Sequence, residues 1–174
     1  MHRKELLIKA LNVVLFNMAW ALCVLGGNDV ALVTVVVVLI LHMLFVAPDW
    51  SEIVLLVMIA SLGIAIDTLW FLTGVLQNPD GSSLLPIWLV ALWFCFSTTC
   101  AHCFSFLHNR LLLASLLGAV FGSFSYWAGV RLSDVSFGVD VLYGVLMIAA
   151  LWCVLFPATL MIAKAFGRGK EVMI

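Results

Sequence analysis

The sequence predicts an all-α integral membrane protein, a compact bundle of about six transmembrane helices. Three observations carry that prediction. Hydrophobic residues fill 66% of the 174 positions and charged residues only 10%, against roughly half and a quarter in an ordinary soluble domain. The apolar residues are grouped in long runs, each close to the roughly 20 residues that cross a hydrocarbon core. Between the runs stand short segments with turn chemistry. A soluble fold of this size could not hide so much apolar surface, whereas lipid accepts it on the outer face.

Six spans follow, at 6–25, 30–46, 53–76, 85–107, 111–130 and 141–163. They are separated by Gly-Gly-Asn-Asp (26–29), Ala-Pro-Asp-Trp-Ser-Glu (47–52), Asn-Pro-Asp-Gly-Ser-Ser (78–83), His108-Asn109-Arg110, and the stretch from Arg131 to Asp140. The first run lacks an A-x-A-like cleavage site and is read as a retained helix that also serves as the insertion signal. The second is rich in β-branched residues and by periodicity alone could be a strand. Helix is expected, because an isolated strand in lipid leaves its backbone groups unpaired. Pro86 falls near the start of span four, where its missing N–H costs little. Pro157 falls inside span six and is expected to kink it or end its regular part. The chain reads as a single polytopic domain over 1–174, without internal repeat or linker.

Lys and Arg set the orientation. With six spans, Arg3, Lys4, Lys9, Arg110, Lys164, Arg168 and Lys170 share one side and Arg131 stands alone on the other. Both termini are therefore expected in the cytoplasm. No basic stripe interleaved with aromatics supports nucleic-acid binding. The cysteines, at 23, 95, 100, 103 and 153, are odd in number and lie in apolar runs, as buried small hydrophobes do.

Ionisable groups inside the membrane are costly and mark candidate sites. Asp67 is the clearest. It lies about 22 Å into span three at 1.5 Å per residue, and Gly63, Asp67, Trp70 and Gly74 fall on one helical face. The carboxyl group must be either protonated or held by partners. Tyr126 and Ser125 of span five reach nearly the same depth and Asn17 of span one is slightly shallower, so these groups are expected to cluster with Asp67 in the outer half of the bundle. That cluster is either a hydrogen-bond knot between helices or a ligand or proton site. His42 and His102 both lie about 8–9 Å from the inner side by the same rise. They could face each other across an inner cavity. Two histidines without a nearby carboxylate make a poor metal site, so no metal and no cofactor are expected. Cys100-Ala101-His102-Cys103 is not a C-x-x-C-H haem motif, nor is it flanked by a soluble βα unit. Gly118 and Gly122 have the G-x-x-x-G spacing that lets helices approach closely, most simply within the same chain. Trp50, Trp88 and Trp127 are placed at interfaces, and Trp20, Trp70, Trp93 and Trp152 deeper.

Pro86-Ile87-Trp88, Ala91-Leu92-Trp93-Phe94, Thr98-Thr99, His102 and Phe106-Leu107 together resemble the central signature of the bacterial membrane-protein family known as domain-of-unknown-function family 2878. The likeness continues through Leu116-Leu117-Gly118-Ala119, Gly122, Ser125-Tyr126 and Gly129. Upstream it includes Phe16-Asn17, Trp20, Val24-Leu25-Gly26 and Asp67. The chain departs from the pattern at Asn17, where Gln is usual, at Gly122-Ser123, where Gly-Pro is frequent, and at Cys103, where Ser is. Without that proline, span five is expected to run straighter. The resemblance implies a small multi-pass protein of the bacterial inner membrane, without an established activity. It also carries a loose association with genes of fatty-acid modification.

Three functions remain open at this point. The first is a binding or transport module for a lipid-like or small amphipathic ligand, with Asp67, Trp70, Tyr126, Ser125, Asn17 and His102 as ligand-binding residues and membrane lipids as partners. The second is a structural or assembly subunit beside another membrane protein. The third is a lipid-modifying enzyme. It is disfavoured because neither Asp67 with Tyr126 nor His42 with His102 forms a recognised constellation with a nucleophile and an orienting group.

Overall fold

The computed structural model describes residues 3–46 and 49–172. Ala47 and Pro48 of the turn expected at 47–52 lie outside the described residues, as do the side chains of Lys4, Arg168 and Lys170 on the basic side. The described residues are mainly helical, with one small strand pair and the loops that join these elements. In order it forms α1 (Arg3–Phe45), α2 (Trp50–Leu72), β1 (Leu76–Gln77), α3 (Ile87–Cys100), a 3₁₀ turn (Cys103–Leu107), α4 (Leu111–Leu117), a π turn (Gly118–Gly122), α5 (Ser123–Leu132), β2 (Ser136–Phe137) and α6 (Val141–Val172).

Among the described residues, four helices are long and apolar enough to cross a membrane: Leu6–Phe45, Trp50–Leu72, Leu111–Leu132 and Val141–Phe166. Their outer faces carry large exposed apolar side chains such as Val33, Leu112, Leu142 and Val154. That is the inverse of a soluble surface, and lipid is the solvent that suits it.

The first of these helices is broken. Gly27 has φ 64° and ψ −160°, a region of backbone space essentially reserved for glycine. Ala19 and Val38, one on each side of the break, are buried in one cluster with Cys95 of α3. Along a straight helix they would stand about 28 Å apart. The chain therefore folds back at Gly27 into two limbs lying on α3, and Cys23, Ala31 and Ala91 form the cluster nearer the tip. Asn28 just beyond the turn accepts a hydrogen bond from the Trp88 backbone N–H at 3.0 Å. It thereby does for α3 what a capping side chain does, a service that Pro86 at the helix boundary cannot perform. The β-branched run of the second limb is helical.

α2 stops earlier than the sequence suggests. Gly74 is not on its face but beyond its end, with φ 74°, and the Gly74 and Val75 amides close back on the Phe71 and Trp70 carbonyls. That left-handed glycine finish releases the chain into β1, which pairs antiparallel with β2 through Leu76 opposite Phe137 and Gln77 opposite Ser136. No periodicity in two-residue strands could have signalled this clasp.

Span four is likewise not one helix to residue 107. α3 ends at Cys100, where Ser97, Thr98 and Thr99 turn their hydroxyls onto carbonyls three residues back. Such bonds compete with regular helix. His102 sits at φ −109°, ψ −84°, and the His108 ring reaches the Cys100 carbonyl at 2.9 Å, satisfying an acceptor left open by the break.

Span five is not uniformly α-helical either, despite lacking the proline. It passes through the π turn, where Ser123 Oγ donates to the Ala119 carbonyl at 2.6 Å. Pro157 does not end α6, which continues to Val172.

The centre of the bundle is a stack. The Trp93 and Trp152 rings lie 5.5 Å apart at 12°, with Phe96 edge-on to both. A β-carbon at Gly63 of α2 would overlap the Trp93 ring, and one at Gly122 would overlap Trp152. Two glycines on different helices thus enclose two indoles, and the G-x-x-x-G face packs on α6 of its own chain.

Gly27→Ala is expected to cost about 1–3 kcal/mol, the usual strain of a non-glycine residue in such a backbone state. Thermal unfolding in detergent, followed by circular dichroism, should show a lowered midpoint, with Asn17→Ala, at an exposed position, as the unaffected control.

Candidate functional site

A carboxylate in the middle of a membrane helix needs donors. Asp67 is fully buried and receives two. Trp93 Nε1–H donates to Oδ2 at 2.6 Å, and the Tyr126 hydroxyl donates to Oδ1 at 2.5 Å. Each comes from a different helix, so one side chain of α2 joins α3 and α5. Gly63, one turn before Asp67, gives the Trp93 ring room to lie against α2.

The other expected members are distributed differently. Ser125 bonds Trp20 rather than Asp67, its Oγ accepting from the indole N–H at 2.8 Å. This links the first limb of α1 to α5. Asn17 does not join the cluster. It is exposed, and its amide donates to the Val13 carbonyl on its own helix at 2.8 Å. A one-residue step along a helix turns a side chain by about 100°, so depth alone did not give its facing. Trp70 is half-buried and packs among Phe71, Leu76, Leu89 and Val135.

Beside this knot runs a narrow apolar slot of about 60 Å³ between the first limb of α1, α3 and α5. Phe16, Trp20 and Val24 form one wall, Trp88, Leu92 and Trp93 the floor, and Ser125, Tyr126 and Gly129 the other wall. From Phe16 to Val24 it extends about 12 Å along the helix. At its end the slot meets a wider cavity of about 650 Å³, bounded by the Gly26–Asn28 turn, the 78–87 loop and residues 132–135. Val24, Trp88 and Val135 belong to both, so the two adjoin. The wide vestibule is lined by Asn28, Asn78, Asp80, Ser82, Ser133 and Asp134 and, among the described residues, by no Lys or Arg. Asn78 holds its loop in place by donating to the Ser82 and Leu84 carbonyls at 2.9 and 2.7 Å.

At the opposite end of the bundle His42 and His102 do meet, with ring centroids 5.1 Å apart. The expectation that no carboxylate stands near them is corrected by Glu52. Its Oε1 lies 2.7 Å from His102 Nε2 and 3.3 Å from His42 Nε2. Read from the sequence as part of a turn, Glu52 is in the first turn of α2 and buried. It shares one buried stripe of α2 with residues 56, 59, 63, 67 and 71, a stripe that the almost uniformly apolar sequence of this helix does not mark. The partners of Asp67 carried a weak signal. A buried indole or phenol seeks an acceptor, but which one depends on the packing. The cysteines are free, with Cys100 and Cys103 turned toward the Phe96 and Thr99 carbonyls of their own segment.

Removing the Asp67 carboxylate should cost about 1–3 kcal/mol for each orphaned donor. Asp67→Leu and Tyr126→Phe are expected to be non-additive, with a coupling of about 0.5–3 kcal/mol, in a double-mutant cycle measured by equilibrium denaturation in mixed micelles. Additive losses would show that the two groups do not share one bond.

A family model described as "Protein of unknown function (DUF2878)" matches residues 9–158. No curated protein and no solved structure matches the chain.

Proposed function

Because the chain belongs to the DUF2878 family, whose description assigns no activity, we propose a function from the site: a membrane-embedded binding module for a single-chain amphiphile, handling lipid-like ligands within a bacterial inner membrane. One observation carries this reading: a wide cavity, lined by amides, hydroxyls and carboxylates as well as apolar side chains, adjoins a narrow apolar slot. An amphiphile has the same division. Its chain would lie between the aromatic walls, and its head group would stay among the vestibule's amides, hydroxyls and carboxylates. At about 60 Å³ the slot takes a few methylene groups of an extended chain and excludes a bulky ring system. Asp80 and Asp134, unopposed by a lining cation among the described residues, favour an amine-bearing head over an anionic one.

The proposed orientation follows the basic residues. The hairpin limbs of α1, α2, the α3 segment with its 3₁₀ extension, the α4–α5 unit and α6 are six crossings. They put both termini on the cytoplasmic side and the vestibule on the opposite face. The Trp20–Ser125 bond then bridges the two helices that border the slot, and Asp67 fixes the Trp93 and Tyr126 rings against which a chain would lie. In this reading Asp67 shapes the walls rather than touching the ligand.

Native mass spectrometry of the purified protein should retain lysophosphatidylethanolamine in preference to lysophosphatidylglycerol. Gly129→Leu, which projects a side chain into the slot from a position where only the Trp88 ring is near, should reduce that retention at least ~10-fold, about 1.4 kcal/mol. Asp80→Asn with Asp134→Asn should erase the head-group preference while leaving chain binding. Equal retention by Gly129→Leu would remove the slot from consideration.

A further inference from the structure

The cluster at the other end of the bundle belongs to none of this. Glu52 and Asp67 are 15 residues apart on one helix, about 22 Å, so the histidine pair is remote from slot and vestibule alike. Three groups from three segments converge there. They are His42 near the end of α1, Glu52 in the first turn of α2, and His102 in the break after α3. One ligand atom from each lies within 4.8 Å of the other two.

Nothing in helix packing alone asks for this convergence. Both Nε2 atoms address the same carboxylate oxygen, and α3 leaves helical geometry at the residue that delivers the second of them. His42 and Glu52 are buried at 1% and 4% exposure, while His102 retains 21%. Two imidazoles and one carboxylate are the donor set of open zinc sites in hydrolases and of related iron sites. In a tetrahedral site with bonds of 2.0–2.2 Å, donor atoms stand about 3.3–3.5 Å apart. The 3.3 Å separation of His42 and Glu52 already has this value. The 2.7 Å separation of His102 and Glu52 would have to widen by about 0.6 Å, a small rotation for a partly exposed ring in an irregular segment. Among the described residues, Cys100 and Cys103 do not complete the set, since both are turned to backbone carbonyls. A bound ion would therefore keep a coordination position open on the His102 side.

We infer that His42, Glu52 and His102 form a binding site for a divalent first-row transition metal, of the two-histidine, one-carboxylate type with an exchangeable fourth position. The test uses the full-length chain in detergent without a polyhistidine tag, stripped by chelator and titrated with Zn²⁺, with Co²⁺ as the spectroscopic probe. One equivalent of Zn²⁺ per chain is expected, together with visible d–d absorption from the Co²⁺ form. Glu52→Gln and His102→Asn should each weaken Zn²⁺ binding more than ~100-fold, beyond the effect of losing a mere supporting partner, whereas Asn17→Ala should bind as the wild type does. Sub-stoichiometric Zn²⁺, or binding unchanged in both variants, would overturn the inference. If either variant fails to fold, the wild-type Co²⁺ spectrum decides: absorption without histidine and carboxylate ligation, or none, removes the site.

Discussion

Asp67 is the point on which the bundle turns. Between helices in lipid there is little hydrophobic force, because acyl chains are as apolar as leucine. Close packing and interhelical hydrogen bonds must hold the helices together. Here the two coincide. The carboxylate takes one hydrogen bond from α3 and one from α5, and the indole it holds is stacked on the indole of α6. Gly63 and Gly122 permit the stack by leaving room on both outer faces. A stacked aromatic pair adds about 0.5–1.5 kcal/mol beyond its buried area. Its larger role is geometric, since four helices are fixed relative to one another by one acid and the side chains of Trp93, Tyr126 and Trp152.

The irregular backbone follows from the same constraint. Non-helical segments at membrane depth are tolerated where they lie against protein or line a cavity. Open backbone groups are met by side chains: Asn28 of the α1 hairpin at the start of α3, the His108 ring at its end, and Ser123 in the π turn. The interruptions also direct side chains. The hairpin turn lines the vestibule, while the end of α3 turns His102 toward Glu52. The bundle is thereby polar at its two ends in different ways, with amides and carboxylates at one and an imidazole–carboxylate cluster at the other, separated by the aromatic centre.

Much of the helical pattern is visible in the sequence because the hydrocarbon medium demands long apolar runs and cheap turns. The Gly-Gly-Asn-Asp break, the end of the second limb of α1 and the beginnings of α4 and α6 fall where turn chemistry places them. The shortening of α3 does not, since Ser97, Thr98 and Thr99 are acceptable in a membrane helix and only their hydroxyl geometry shows competition. The strand clasp escapes as well, because two-residue strands have no period. Asp67 stands out by its cost, and Tyr126 by its matching depth. Asn17 shares that depth but faces outward, and Glu52 is hidden by its place beside a turn.

By itself, the sequence determined the medium, the helical class and the presence of an acid that must find donors inside the protein, because each follows from local transfer costs that no fold can evade. Only the tertiary structure decided which donors answer that acid, which histidines share a carboxylate, and where a polar mouth meets an apolar slot. Those are relations between helices, fixed by rotation about each axis, and a step of about 100° per residue decides between facing a neighbour and facing lipid.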